Sequence, residues 1–159
     1  MISAINYEVG DATAPIGDGA KIIAHVCNDI GGWGRGFVLA LSARWPEPEA
    51  SYHAWYAGRA DNDFALGAVQ LVGVEDDLWV ANMIGQRDVL AGPSGPPVRY
   101  EAIELALLTL VNEAHARDAS VHMPRIGCGL AGGDWPTVED IIDRTLIAHH
   151  VAVTVYDLA

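Results

Sequence analysis

The sequence predicts an α/β protein, a three-layer α/β/α sandwich around a central mixed, largely parallel sheet. Short β-branched or apolar runs alternate with helical patterns along the whole chain. One run, KIIAHVC, is apolar without alternation, as in a strand covered on both faces. Two glycine-rich segments each leave a strand and enter a helix, the place where such sheets bind ligands.

The elements follow in order. ISAINYEV, residues 2–9, sets Ile2, Ala4 and Ile5 among polar residues and reads as an edge strand. KIIAHVC, residues 21–27, is the buried strand. GFVLALSARW reads as a helix. PEPEASYHAWYAG reads as a second one, opened by prolines and acids that suit a helix N-terminus. GAVQLVGV and LWVANMIG are neighbouring strands joined by the acidic turn EDD. LAGPSGPPVRY is a surface loop within one domain. VRYEAIELALLTLVNEAHARD is the clearest helix, with Ile103, Leu107, Leu110, Val111 and Ala114 at helical spacing. SVHMPRI, residues 120–126, is a strand, PTVEDIIDRTLIAHH a helix from Pro136, and VAVTVYDL the last strand. With no linker, repeat or low-complexity segment, residues 1–159 are expected to form one domain.

Composition narrows the function classes. The chain is 51% hydrophobic and 19% charged, as in ordinary globular proteins. No apolar run reaches membrane-spanning length, and MISAINYEVGD lacks the basic region of a signal peptide, so a cytoplasmic protein is expected. Two cysteines, Cys27 and Cys128, are too few for a disulfide framework and lack metal-ligand spacing. Neither a metal nor a cofactor is expected, and the chain is expected to be a monomer. The net charge of −12 disfavours tight nonspecific binding to nucleic acid, which needs Lys and Arg to neutralise phosphates. It leaves open action on one modified, flipped-out nucleotide. Lys21 is the only lysine among nine basic residues, a usage that points to a bacterial, GC-rich source.

The candidate site lies in HVCNDIGGWGRGF (residues 25–37) and MPRIGCGLAGGDW (residues 123–135). Glycine lets a backbone approach a phosphate, and consecutive N–H groups before a helix stabilise anions. Two such loops are able to clamp a diphosphate from opposite sides; the alternative is two tight turns in an ordinary α/β domain. GGWGRGF lacks the G-x-G-x-x-G spacing, and no G-K-[ST] occurs, so neither a Rossmann nor a Walker A loop is present.

NYEVGDAT, HVCNDIGGWGRGF and MPRIGCGLAGGDW together resemble, in order, the ADP-ribose-binding segments of the macrodomain family. The late motif, with PPVRYEAIELAL, is most similar to the branch containing terminal ADP-ribose protein glycohydrolase, the antitoxin DarG and the macrodomain of the ALC chromatin remodeller. The CN-x-x-G-x-WG-x-G pattern is also similar to an ADP-ribose-1″-phosphate phosphatase. The resemblance implies that Asp11, with Ala12, receives the adenine amine; Asp11 is otherwise a helix N-cap. It implies that Asn28 binds the distal ribose, where the alternative is an ordinary loop asparagine. Gly34, Arg35, Gly36 and Phe37 would supply backbone donors and a wall near the diphosphate. Gly127, Cys128, Gly129, Leu130, Ala131 and Gly132 would form the opposing clamp, with Cys128 as packing. Tyr156 is either an aromatic near the adenine or a core tyrosine.

Related glycohydrolases carry a lysine after the strand matched by WVANMI, and here Gln86 stands there with Arg87 beside it. Glutamine cannot attack an opened sugar, and arginine stays protonated. Lys21 is expected at the wrong end of the sheet. The resemblance therefore implies hydrolysis of mono-ADP-ribose from acidic protein side chains or thymidine in DNA without a covalent lysine step. Gln86 would orient a water. Asp134 is either a base or the N-cap of the next helix, and His25 is either a base or a core histidine. The alternatives are a 1″-phosphatase and a non-catalytic ADP-ribose reader.

Overall fold

The computed structural model describes residues 4–92 and 95–159; Ile2 and the Pro93–Ser94 part of the glycine-proline loop lie outside the described residues. The elements run β1 (Asn6–Val9), β2 (Lys21–Asn28), α1 (Phe37–Ser42), α2 (Glu47–Ala57), β3 (Val69–Glu75), β4 (Leu78–Gln86), α3 (Tyr100–Arg117), β5 (Ser120–Met123), α4 (Trp135–Arg144) and β6 (Val153–Asp157). They form one six-stranded sheet in the order β1-β6-β5-β2-β4-β3. Every neighbouring pair is parallel except β3 and β4, which form the hairpin around the acidic turn. The mixed, largely parallel sheet predicted from the sequence is present, with β1 on its edge.

Side chains alternate between two cores along the central strands, as the period of two requires. On β2, Ile22 and Ala24 pack with α3 and α4, whereas Ile23 and Cys27 pack with α1 and α2. On β4, Met83 faces the first core and Ile84 the second. Helices on both faces explain why KIIAHVC carries no polar alternation.

Several boundaries differ from the expectations. The strand expected to run through Ile126 ends at Met123, because Pro124 follows and has no N–H for the ladder. The chain then passes through Pro124–Ile126 as a loop. The first helix is six residues long, much shorter than GFVLALSARW suggests. The last helix stops at Arg144, where the Thr145 hydroxyl donates to the Ile141 carbonyl, and a 3-10 turn at Ile147–His149 follows. Residues 98 and 99 stay extended before α3, because Val98 bridges to Gln86.

The topology creates one switch point. The chain leaves β2 toward α1, α2 and the β3–β4 hairpin, and it leaves β5 toward α4 and β6 on the other side. Because β2 and β5 are adjacent, their outgoing loops diverge and open a crevice beyond their carboxyl ends.

Candidate functional site

A cavity of about 580 Å³ fills that crevice. Its floor is the end of β2, His25 to Asn28, with Gln86 at the end of β4 beside it. A register shift between Cys27 and Asn28 sets Asn28 directly opposite Gln86, so two residues singled out in the sequence meet through a bulge. Gly34–Val38 form one wall. Pro124–Gly127 and Gly129–Ala131 form the other, and Val89 and Leu90 stand at the rim. Leu130 Cδ1 reaches across to 3.6 Å from where a Cβ on Gly36 would stand.

The late loop is closed by its own backbone. The Gly133 N–H donates to the Gly127 carbonyl at 2.7 Å. Val98 N–H donates to the Ala131 carbonyl, and Val98, Ile126 and Ala131 are buried in the α3/α4 core. The peptide ring is therefore anchored from below and presents its upper edge to the cavity.

Asn28 organises the early loop. Its Nδ2 donates to the Gly32 carbonyl at 2.8 Å, and its Oδ1 accepts from Ile30 N and Gly32 N. The buried Tyr52 hydroxyl shares its hydrogen between the Asn28 carbonyl and Oδ1. Asn28 thus lines the cavity as an ordered loop staple with one amide hydrogen left over.

His25 is 2% exposed and forms part of the cavity's inner wall. Asn82 donates through Nδ2 to Pro48 O and Gln70 Oε1, which orients its amide. Its Oδ1 then accepts from His25 Nε2–H at 2.5 Å, fixing that tautomer. Burial pushes the His25 pKa down to about 4, so the ring is neutral at pH 7 and a weak base.

Asp134, the other candidate base, and Cys128, expected as packing, both lie off the cavity wall. Asp134 caps α4: its Oδ2 accepts from Thr137 N and Oγ1 at 3.2 and 2.8 Å, and it does not line the cavity. The N-terminus of α4 therefore meets its own carboxylate before any ligand. Asp134→Ala is expected to cost about 1 kcal/mol of stability through the lost cap. In an assay of turnover it should leave the rate within a fewfold; a loss of 100-fold or more, in the range of a missing general base, would overturn this structural role. Cys128 is half-buried off the cavity wall, and burial followed by Asp134 raises its pKa, so it stays a thiol.

The proposed adenine-end residues form a separate cluster that is not part of the cavity wall. Asp11 Oδ1 accepts from Thr13 N and Oγ1 at 2.8 and 2.7 Å, and Oδ2 lies 3.6 Å from Arg44. The hydrogen bonds from Thr13, foremost, hold its carboxyl below the usual range. No helix follows, so Asp11 closes a turn. Ala12 is buried. The Tyr156 hydroxyl accepts from Ile16 N and lies 2.7 Å from His122 Nδ1, tying loop 10–20 to β5 and β6. Arg87 and Gly132 also lie off the cavity wall, and Lys21 sits at the opposite end of the sheet against Gly19 O. Among the described residues no group of three or more His, Cys, Asp or Glu is placed to hold a metal. No helix there is long and apolar enough to cross a membrane.

Arg125 and Gly133 were missed in the sequence. Arg125 lines the cavity, makes a bidentate pair with Asp157 at 2.7 and 3.0 Å, and lies against Trp135 and Tyr7. Its partners come from α4, β1 and the end of β6, so no local sequence signal marks it. The wall contains two arginines and, among the described residues, no Asp or Glu, in a chain with 21 acids. The wall thus carries arginine side chains without a carboxylate of its own, in a protein of net charge −12.

No protein-family model matches the chain. A solved structure of a macrodomain protein from Streptomyces coelicolor is 58% identical, covers 96% of this chain and 98% of its own, and superposes with a TM-score of 0.87. A chromodomain-helicase-DNA-binding protein 1-like of Mus musculus is 32% identical over 97% of this chain, which spans only 18% of that relative. An ADP-ribose 1″-phosphate phosphatase of Meyerozyma guilliermondii is 26% identical over 98% of this chain and 99% of its own. The macrodomain of Mycobacterium tuberculosis DarG, 22% identical with both chains covered to 99% and a TM-score of 0.75, shares the fold.

Proposed function

The chain belongs to the macrodomain family, and on that premise we propose that it binds ADP-ribose and hydrolyses single ADP-ribose units from a modified target. The target link is to an acidic protein side chain or to thymidine in DNA, and no catalytic lysine takes part. The observation that carries this reading is the cavity wall: nucleotide-sized, at the switch point, bounded by two glycine loops, with arginines and no carboxylate. Such a wall suits a diphosphate dianion.

In this reading the ring closed by Gly133 and the Gly34–Phe37 segment hold the diphosphate between them. Asn28 uses its remaining amide hydrogen on the distal ribose. Asp11, Ala12 and Tyr156 shape the adenine end, Tyr156 by fixing loop 10–20 through Ile16. The C1″ bond to the target breaks with its electron pair leaving on the carboxylate or thymine, a water adds to the oxocarbenium-like C1″, and the water's proton passes to that leaving group. Gln86 Nε2 is occupied by the Asp88 carbonyl at 2.8 Å. Its Oε1 accepts a hydrogen bond from that water and orients it. Neutral His25 closes the inner wall.

The test is release of free ADP-ribose from two matched substrates, a glutamate-linked protein and a thymidine-linked oligonucleotide. Release from either supports the hydrolase, and Gln86→Ala should then lower turnover about 10- to 100-fold with ADP-ribose affinity kept. Wild-type turnover in Gln86→Ala would remove Gln86 from the mechanism. Binding of free ADP-ribose without release favours a reader, the reading suited to a wall with neither lysine nor carboxylate. Phosphate release from ADP-ribose-1″-phosphate favours the phosphatase, the activity named for the Meyerozyma relative.

A further inference from the structure

The two arginines of the cavity wall are not equivalent. Arg125 is spent: Asp157 holds its guanidinium through two hydrogen bonds and lowers the field it offers to a ligand. Trp135 and Tyr7 pack against it and fix its plane. Arg35 is the opposite case. Every other basic side chain except Arg87 holds a hydrogen-bond or ion-pair partner among the described residues. Arg35 has none there, and it lines the cavity where Arg87 does not. It is exposed, at the tip of the loop between Gly34 and Gly36, and Gly36 has φ +83°. A guanidinium left unpaired in a protein of net charge −12, beside a wall without carboxylates, is a charge waiting for an anion.

We propose that the Arg35 side chain supplies the main positive charge for the diphosphate and so selects ligands with a phosphoanhydride link, while Arg125 serves the architecture of the wall. The ligand's identity rests on the ADP-ribose reading above; the role of the Arg35 charge toward a phosphoanhydride does not. The planar fork of arginine suits two phosphate oxygens at once, which a lysine does not reproduce. Its exposure makes the contact sensitive to salt. The backbone of both loops then supplies orientation, and Arg35 supplies charge.

Calorimetric titration tests this with two probes, ADP-ribose and inorganic pyrophosphate, at low and high salt. Arg35 is exposed and unpaired, so its variants keep the fold, which the melting temperature verifies. Arg35→Gln is expected to weaken both probes about 10-fold at low salt and to flatten the salt dependence. Arg35→Lys should recover part of the loss, and Arg35→Glu should deepen it. If wild type binds ADP-ribose and Arg35→Gln binds it within about twofold with the same salt dependence, the proposal is overturned and the ADP-ribose reading stands. If wild type binds pyrophosphate through Arg35 but not ADP-ribose, the proposal holds and the ADP-ribose reading falls. Binding of neither probe overturns both.

Discussion

Gly133→Ala should open the late loop. A Cβ at Gly133 would lie 2.3 Å from the Gly127 carbonyl oxygen and 3.0 Å from its carbon. Both atoms are backbone, so no side chain can swing aside. The hydrogen bond that closes the ring, Gly133 N–H to Gly127 O, must break. The expected cost is about 2 kcal/mol of stability, in the range of overpacked sites. ADP-ribose affinity should fall by at least about 10-fold, one lost charged hydrogen bond's worth, because the ring no longer presents its edge to the cavity. Gly129→Ala is the control. It lies on the same loop and lines the same cavity, but a Cβ there meets no atom within 4 Å. It should keep stability within about 0.5 kcal/mol. Chemical denaturation and calorimetric titration of the pair read the difference. Wild-type stability and affinity in Gly133→Ala would refute the clamp.

Asn28→Ala should damage both fold and binding. Three groups lose their partner at once, the Gly32 carbonyl, Ile30 N and Gly32 N, while the Tyr52 hydroxyl falls back on the Asn28 carbonyl alone. Some of them find water, so the expected loss is about 3 kcal/mol rather than the sum of three buried orphans. Asn28→Asp separates the two roles. It keeps the Oδ1 acceptor for both N–H groups and for Tyr52, so more of the stability survives. It also loses the amide donor and adds a negative charge to a cavity free of carboxylates. In thermal unfolding the aspartate variant should outlast the alanine variant. In ADP-ribose titration it should be at least as poor. If the aspartate variant binds like wild type, Asn28 is a loop staple and nothing more.

Much of the fold was legible because it rests on local periodicity. KIIAHVC reads as a doubly covered strand, and Ile103, Leu107 and Leu110 recur on one face of α3. The boundaries were less legible where chain neighbours and tertiary partners compete. Pro124 ends β5 three residues before the apolar run ends, and the Gln86–Val98 bridge holds Val98 out of α3. The site divides in the same way. The glycine loops were legible because turns with positive φ favour glycine wherever they occur, as at Gly36, Gly127 and Gly132. Asp134, by contrast, fits an N-cap and a base equally well in sequence, and only its contact with Thr137 shows the cap.

The sequence by itself determined that strands and helices alternate, that two glycine-rich loops each leave a strand and enter a helix, and that the only lysine opens a strand at the far end of the sheet. These are properties of residue type and spacing. The tertiary structure alone decided which charges count. It brought Asp157 onto Arg125 and left Arg35 without a partner among the described residues, and it set Asn82 behind His25. It also turned one more glycine, Gly133, into the closure of a loop. The reason is that pairing, burial and close backbone approach depend on distances between segments far apart in the chain, and spacing along one segment does not encode them.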